Sequence, residues 1–356
     1  MYSLLQRLLF RLDPEDAHHA ALRMARASGS LGPLRALLAR AAGFRDPRLV
    51  VEAFGLRFEN PLGLAAGYDK DGRAVAGLSA LGFGHLELGT VTRVPQVGNP
   101  RPRVQRFEAS RAIVNSMGFP NAGVEALMAQ RFEPRGRCLL GINVGKNKDT
   151  PLERAAEEYA LLIERVAPRA DYVAVNISSP NTPGLRKLQD RAALEALLGE
   201  VAAARGRAAR RVPVLVKIAP DLSEGEVDDV LEAVSRCSID GVIASNTTTD
   251  RSGLPASARD LPGGTSGEPL RARAAALTRF VARRTHGRLP LVGVGGIMTP
   301  EDALERLRAG AHLVQIYTGL VYGGPFLVRR ILEHIARECA REGLASCGEL
   351  GAAARQ

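Results

Sequence analysis

The stretch at residues 171–185, DYVAVNISSPNTPGL, pulls in two directions. Its first half, with Val173, Val175 and Ile177 around Ala174, reads as a strand covered on both faces, because nearly every position is apolar and most are β-branched. Its second half sets Asn176, Ser178, Ser179 and Asn181 between Pro180 and Pro183, which is much hydrogen-bonding capacity on a backbone with little freedom. Amphipathic segments at 153–167 and 190–207 flank it, so the stretch is one β-strand between two helices. The same alternation recurs outward in both directions. Short apolar runs lie near 61–65, 85–91, 139–145, 172–178, 212–219, 241–246, 290–296 and 313–318, with further helical segments at 223–236, 270–285 and 300–309. Eight βα units predict a closed parallel (β/α)8 TIM barrel.

Three regions fall outside the repeat. The N-terminus repeats Leu4, Leu5, Leu8, Leu9 and Leu12 at helical spacing, with Arg7 and Arg11 on the other face. DPED at 13–16 then starts a helix, with Asp13 as cap and Pro14 at the first position. This predicts an amphipathic helical extension over 1–45, ahead of a barrel over 46–345 and a frayed tail over 346–356. VQRFEASRAIVNSMGFPN at 104–121 predicts a hairpin inserted between the second and third units. Residues 247–270, rich in Gly, Pro and Ser, predict a long loop after strand six. Long loops in compact domains are commonly functional lids, and both segments are read that way.

Composition narrows the class. Hydrophobic residues make up 46% and aromatics 4% of the 356 residues, with no Trp, so a globular interior of Ala, Leu and Val is expected. The net charge of +10 is carried mainly by Arg. Such an excess suits phosphate or an anionic surface, but it is scattered and lacks interleaved aromatics, so no nucleic-acid partner is expected. The four cysteines include no C-x-x-C pair and no metal-ligand spacing with His, so no metal site is expected. No run of 18 apolar residues is present, and the first residues lack the features of a secretory leader, so an intracellular setting is expected.

In such a barrel the residues just past each strand form the active site. Here they are Lys70, Thr90, Asn143, Asn176 with Ser179 and Asn181, Lys217, Ser245 with Asn246 and Thr247, Gly295 with Gly296, and Tyr317 with Thr318. A single strand-end Asn is an ordinary turn residue. Polar groups at nearly every strand end, converging on one mouth, form a site. GVGG at 293–296 closes strand seven and is no part of a G-x-G-x-x-G fingerprint, which excludes a nicotinamide-binding Rossmann unit. Glycines after strand seven suit a phosphate, since bare N–H groups approach an anion closely.

These residues resemble the dihydroorotate dehydrogenase family, and within it the membrane-associated, quinone-dependent class 2. The resemblance runs through LDPEDAH, NPLGLAAGYDKDG, ELGTVT, NPRPRVQR, VNSMGF, VNISSPNTPGLR, VLVKIAPD, SNTT, GGTSGEPL, GVGGI and LVQIYTGLVYGGP, in order over nearly the whole chain. It implies oxidation of dihydroorotate to orotate through FMN, with ubiquinone or menaquinone as acceptor, in pyrimidine synthesis. It assigns Ala66, Gly67, Thr90, Asn143, Asn176, Lys217, Ser245, Gly267, Gly296, Tyr317 and Thr318 to the flavin, with Gly267, Gly296, Tyr317 and Thr318 at the phosphate end. It assigns Lys70, Asn115, Asn176, Asn181, Asn246 and Thr247 to the substrate, with Met117, Gly118 and Phe119 shaping the wall. Ser179 is implied as the base that removes the C5 proton while hydride leaves C6 for flavin N5. A serine needs a relay for that proton, and Thr182 is one candidate.

The serine also separates the classes, because soluble relatives carry a cysteine there and none of the four cysteines lies in this loop. The class resemblance turns residues 1–45 into a membrane-lying, quinone-access element, with His18 and Arg106 on the quinone side. It implies a peripheral protein on the cytoplasmic side of the inner membrane, and a monomer, since helices that cover the membrane face leave no need for a dimer. The chain departs from the family pattern at Ser116, where an arginine is common, and at Ser245, where threonine is expected. Another FMN barrel, such as a dihydropyrimidine or dihydrouridine reductase, would need a cysteine acid near the strand-four loop. A noncatalytic barrel would bind no flavin.

Overall fold

The structure is a computed structural model that describes residues 2–356, with side chains from Leu5 onward; Met1 and the side chain of Leu4, part of the amphipathic pattern above, lie outside the described residues. Eight strands, Leu62–Leu64, His85–Val91, Leu139–Val144, Tyr172–Asn176, Val214–Ile218, Gly241–Ala244, Leu291–Val294 and Leu313–Ile316, close into a parallel barrel. Each is hydrogen-bonded to the next in sequence, and strand eight returns to strand one through Val314 beside Leu62. The eight expected runs are therefore the barrel strands.

Side chains alternate along each strand. Leu86, Leu88, Leu140, Ile142, Val173, Val175, Val214 and Val216 are buried in the apolar core of the barrel and its helices. The alternate positions His85, Glu87, Asn143, Tyr172, Lys217 and Gln315 join in polar contacts with one another. Two glycines make room for this layer: a Cβ on Gly63 would lie 2.0 Å from the His85 ring and one on Gly141 2.2 Å from the Tyr172 ring. An antiparallel ribbon, Val51–Ala53 with Leu56–Phe58, brings Phe54 and Phe58 against Tyr172 and His85 beneath that layer.

Three helices precede the barrel: α1 (Tyr2–Leu9), α2 (Pro14–Ser30) and α3 (Gly32–Ala42). Asp13 caps α2 as expected, its carboxylate accepting from the N–H groups of Glu15 and Asp16. Helix α2 lies on α4 (Val75–Ser79) at a pair of small residues, for a Cβ on Gly29 would sit 2.4 Å from the Gly77 nitrogen.

The inserted hairpin is present as Val104–Phe107 and Ala112–Asn115. Two expectations are corrected. Residues 247–270 are not all loop, since Gly264–Gly267 pairs with Ala112–Asn115 and makes a third strand of the hairpin sheet. GTSG has little strand propensity of its own and becomes a strand only because an edge is offered to it. The C-terminus is not frayed: Cys347 and Leu350 are buried, and Arg355 donates to the carbonyls of Gly310, Ala311 and Gly348. A capping box between Ser346 and Glu349 starts that packed turn.

Candidate active site

The strand ends, the hairpin sheet and helices α1–α3 enclose one cavity of about 470 Å³. Every residue assigned above to flavin, substrate or quinone lines it, with the single exception of Asn143. Asn143 is fully buried one layer below and acts through its neighbours. Its amide N–H donates to Glu87 at 2.8 Å, and its oxygen accepts from Thr90 Oγ1 at 2.6 Å and Asn176 Nδ2 at 3.1 Å.

Glu87 is the centre of the floor. It is 1% exposed and accepts from Asn143, Gln315 and Tyr172, while Lys217 Nζ faces it at 3.6 Å. Lys217 is thus a buried ammonium with a counter-ion, paired in register with Asn176 on the adjacent strand. The Gln315 carbonyl, also buried and on the cavity floor, has no hydrogen-bond partner among the described residues. An unmet acceptor beside a paired lysine suits a heteroaromatic ligand with an N–H edge that tolerates added electrons.

The strand-four loop is held by its own side chains. Asn176 Oδ1 accepts from Ser178 N and Oγ, and Ser179 Oγ accepts from Asn181 N at 3.2 Å. Arg186 fastens the loop to its neighbours, donating to the carbonyls of Ser178 and Thr247 and pairing with Asp221. Ser179 is consequently fixed on the cavity wall, while Thr182 carries a buried hydroxyl without a hydrogen-bond partner among the described residues.

The other wall offers both hydrogen-bonding senses. Asn181 Nδ2 donates to Asn115 Oδ1, which leaves the Asn181 oxygen buried and unmet and the Asn115 amide protons free of that contact. Asn246 spends its N–H groups on Asn176 and Ser178, and its oxygen accepts from Thr247 N at 2.8 Å, so what it can offer is the second lone pair of that oxygen. Lys70 supplies the cation. It donates to the Gly67 carbonyl at 2.7 Å, and burial pushes its pKa down to about 8. A ligand with a carboxylate, two ring N–H groups and ring carbonyls matches this inventory.

At the ends of strands seven and eight the backbone is shaped for close approach to an anion. Gly267, Gly295 and Gly296 adopt φ of 97°, 105° and 70°, a region that other residues rarely adopt. A Cβ on Gly296 would also lie 2.2 Å from Arg271 Cα. Thr318 and Ser266 hydroxyls are hydrogen-bonded beside this turn.

The cavity continues toward the N-terminal helices. His18 packs edge-on to Tyr68, which packs on Tyr317, with centroids 5.0 and 5.5 Å apart. Burial, and then the nearby Lys70, push His18 down to about 3, so it is a neutral imidazole. Arg106 donates to the carbonyls of Leu9, Phe10 and Leu12 and lies over the Phe10 ring, which satisfies the end of α1. Glu15, buried at the start of α2, pairs with Arg103 at 2.7 Å and Arg101 at 3.0 Å.

Comparison with known proteins places this geometry. The family profile described as dihydroorotate dehydrogenase matches residues 48–339. The chain belongs to the dihydroorotate dehydrogenase family. Relatives named dihydroorotate dehydrogenase (quinone) extend the likeness over the N-terminal helices. One from Thermus thermophilus is 50% identical, covering 97% of this chain and 99% of its own. One from Mycobacterium tuberculosis is 46% identical, covering 100% and 99%. A dihydroorotate dehydrogenase from Eimeria tenella, solved in complex with ferulenol, superposes with a TM-score of 0.86 at 33% identity, covering 96% of this chain and 97% of that one. Dihydroorotate dehydrogenases are flavin-dependent in general, and the quinone-dependent members are membrane-associated in general.

Several residues of this site were not singled out from sequence. Glu87 and Gln315 each left a signal, a polar residue set between two large apolar ones in a central strand, in HLELGTV and LVQIYT. Arg186 and the Glu15–Arg103 pair left none, because each depends on segments far apart in the chain.

Proposed function

We propose that this chain oxidises (S)-dihydroorotate to orotate on bound FMN and passes the electrons to a membrane quinone, in pyrimidine biosynthesis. The observation that carries this reading is one continuous cavity with an ammonium-and-amide inventory at one end and an apolar, helix-lined opening at the other. FMN, when bound, supplies a two-electron relay between dihydroorotate and the quinone.

Ala66, Gly67, Thr90, Asn176, Lys217 and Ser245 hold the flavin ring, with Asn143 acting from below, and Gly267, Gly296, Tyr317 and Thr318 hold its phosphate. Lys70 pairs with the substrate carboxylate. Asn181 and Asn246 offer oxygens to the ring N–H groups, and Asn115 donates to a ring carbonyl. Met117, Gly118, Phe119 and Thr247 close the wall around them. Ser179 removes the C5 proton as the C6 hydride departs, and we assign Thr182, whose buried hydroxyl lacks a partner, to pass that proton on. Lys217, held against Glu87, would favour negative charge on a bound flavin ring.

Residues 1–45 are assigned to the membrane. Leu5, Leu8, Leu12, Met24, Leu31, Leu34 and Leu37 are large apolar side chains left exposed on α1–α3 and their links. Among the described residues no helix is long and apolar enough to cross a bilayer, so these helices lie on its surface. Seated on the cytoplasmic side of the inner membrane as a monomer, they open the cavity to quinone past His18 and Arg106.

The test is the visible spectrum of the purified protein under anaerobic conditions, before and after dihydroorotate. Bleaching of a flavin band, followed by its return on adding a quinone, is the expected result. A flavin band indifferent to dihydroorotate would remove the substrate assignment, and failure to take up FMN would remove the cofactor.

A further inference from the structure

Arg306 lies on the helix that follows the strand-seven turn, yet its side chain is 1% exposed. Its stem runs along strand seven, where a Cβ on Gly293 would come within 2.5 Å of it. The guanidinium donates to the carbonyls of Gly295 at 3.0 Å and of Val294 and Arg271 at 3.3 Å. Asp302 and Glu305 are near enough to be felt, but among the described residues neither forms an ion pair with it. Asp302 is committed elsewhere, to Arg271 and to the N–H groups of Met298 and Thr299. Burial pushes the Arg306 pKa down to about 10, as expected of a cation short of solvent and counter-ion. A buried charge of this kind is costly unless something of opposite sign completes it.

The turn it supports is the glycine cradle. In a trans peptide the C=O and N–H point in opposite directions. With the Gly295 carbonyl drawn back onto Arg306, the N–H of Gly296 points forward, and both glycines line the cavity. A cation on the carbonyl side also polarises that peptide and strengthens its N–H as a donor.

We propose that Arg306 is the buried countercharge of the cofactor phosphate, a positioning residue that makes the cradle prefer a phosphorylated flavin over one without phosphate. The inference rests on the FMN reading of the cavity. Its test is titration of apoprotein with FMN and with riboflavin, read by flavin fluorescence, for the native protein, Arg306→Gln and Arg306→Lys. Glutamine keeps a donor behind the turn but no charge, whereas lysine keeps the charge with fewer hydrogen bonds.

The expected result is that R306Q lowers the preference for FMN over riboflavin by about tenfold, the order expected of one charge acting through partly screened protein, with riboflavin affinity little changed. R306K should hold the preference within about twofold. Equal losses for both flavins in R306Q, or the same preference as the native protein, would overturn the assignment and leave Arg306 a packing residue. If R306Q does not fold, a soluble R306K with its preference lost overturns it equally. Native protein that takes up neither flavin would instead bring down the cofactor reading itself.

Discussion

The roles proposed for Ser179 and Lys70 on one ligand separate in experiment. Ser179→Ala removes the proposed proton acceptor without touching the opening at the helices. Reduction of the flavin by dihydroorotate should slow by about 10² to 10⁴, the usual worth of a positioned acid or base, while reoxidation by quinone is unchanged. Stopped-flow measurement of each half-reaction decides this, and equal loss in both would remove the role. Lys70 predicts a pH dependence. Its ammonium loses its proton above about 8, and only the charged form pairs with a carboxylate. The dissociation constant of orotate should therefore be flat up to pH 8 and then weaken about tenfold per pH unit. A titration that stays flat to about pH 10, the ordinary lysine range, would show that another group carries the carboxylate. Glu87 could be suspected from sequence as an acid among leucines, but its partners Asn143, Tyr172, Lys217 and Gln315 come from four other strands. No local pattern announces such a meeting.

At the scale of elements, the site depends on how α2 is held against the barrel. The Gly29–Gly77 contact lets α2 approach α4 at backbone distance, and the buried Glu15–Arg103 pair ties its first turn to the segment before the hairpin. A Cβ on Gly77 would lie 1.8 Å from the Ala25 carbonyl. Gly77→Val should cost about 1 to 3 kcal/mol through overpacking. Because it displaces α2 and not the strand ends, quinone reoxidation should suffer more than flavin reduction. Thermal unfolding together with the two half-reaction rates checks this, and equal effects on both halves would show that α2 does not govern quinone access. The strands themselves were legible because nearly every one pairs an apolar run with a polar end. The Gly264–Gly267 strand was not, because it has no apolar side chain and is made by the hairpin edge beside it.

At the scale of the molecule, a closed barrel has one end free to build a site, and the N-terminal helices roof that end. Their outward faces carry Leu8, 54% exposed, and Leu37, 63% exposed, neither of which lines the cavity. Leu8→Glu combined with Leu37→Glu should reduce co-sedimentation with lipid vesicles by about tenfold or more, given the transfer energy of two buried leucines, and leave flavin reduction by dihydroorotate intact. Unchanged vesicle binding would move the membrane face elsewhere.

The sequence by itself determined the eight βα units, the inserted hairpin, the cap at Asp13 and, through the strand-end residues, the polar part of the cavity wall. Those features are local: a period of about two or about 3.6, a turn residue, a cap, each readable within a few positions. Only the tertiary structure decided that Asn143 works from below the wall, that Glu87 faces Lys217, that Arg306 backs the glycine turn and that the C-terminus is packed. These are meetings of residues from about ten to more than a hundred positions apart, and which side chains share a buried layer is decided by barrel closure and helix packing, not by the residues adjoining each one along the chain.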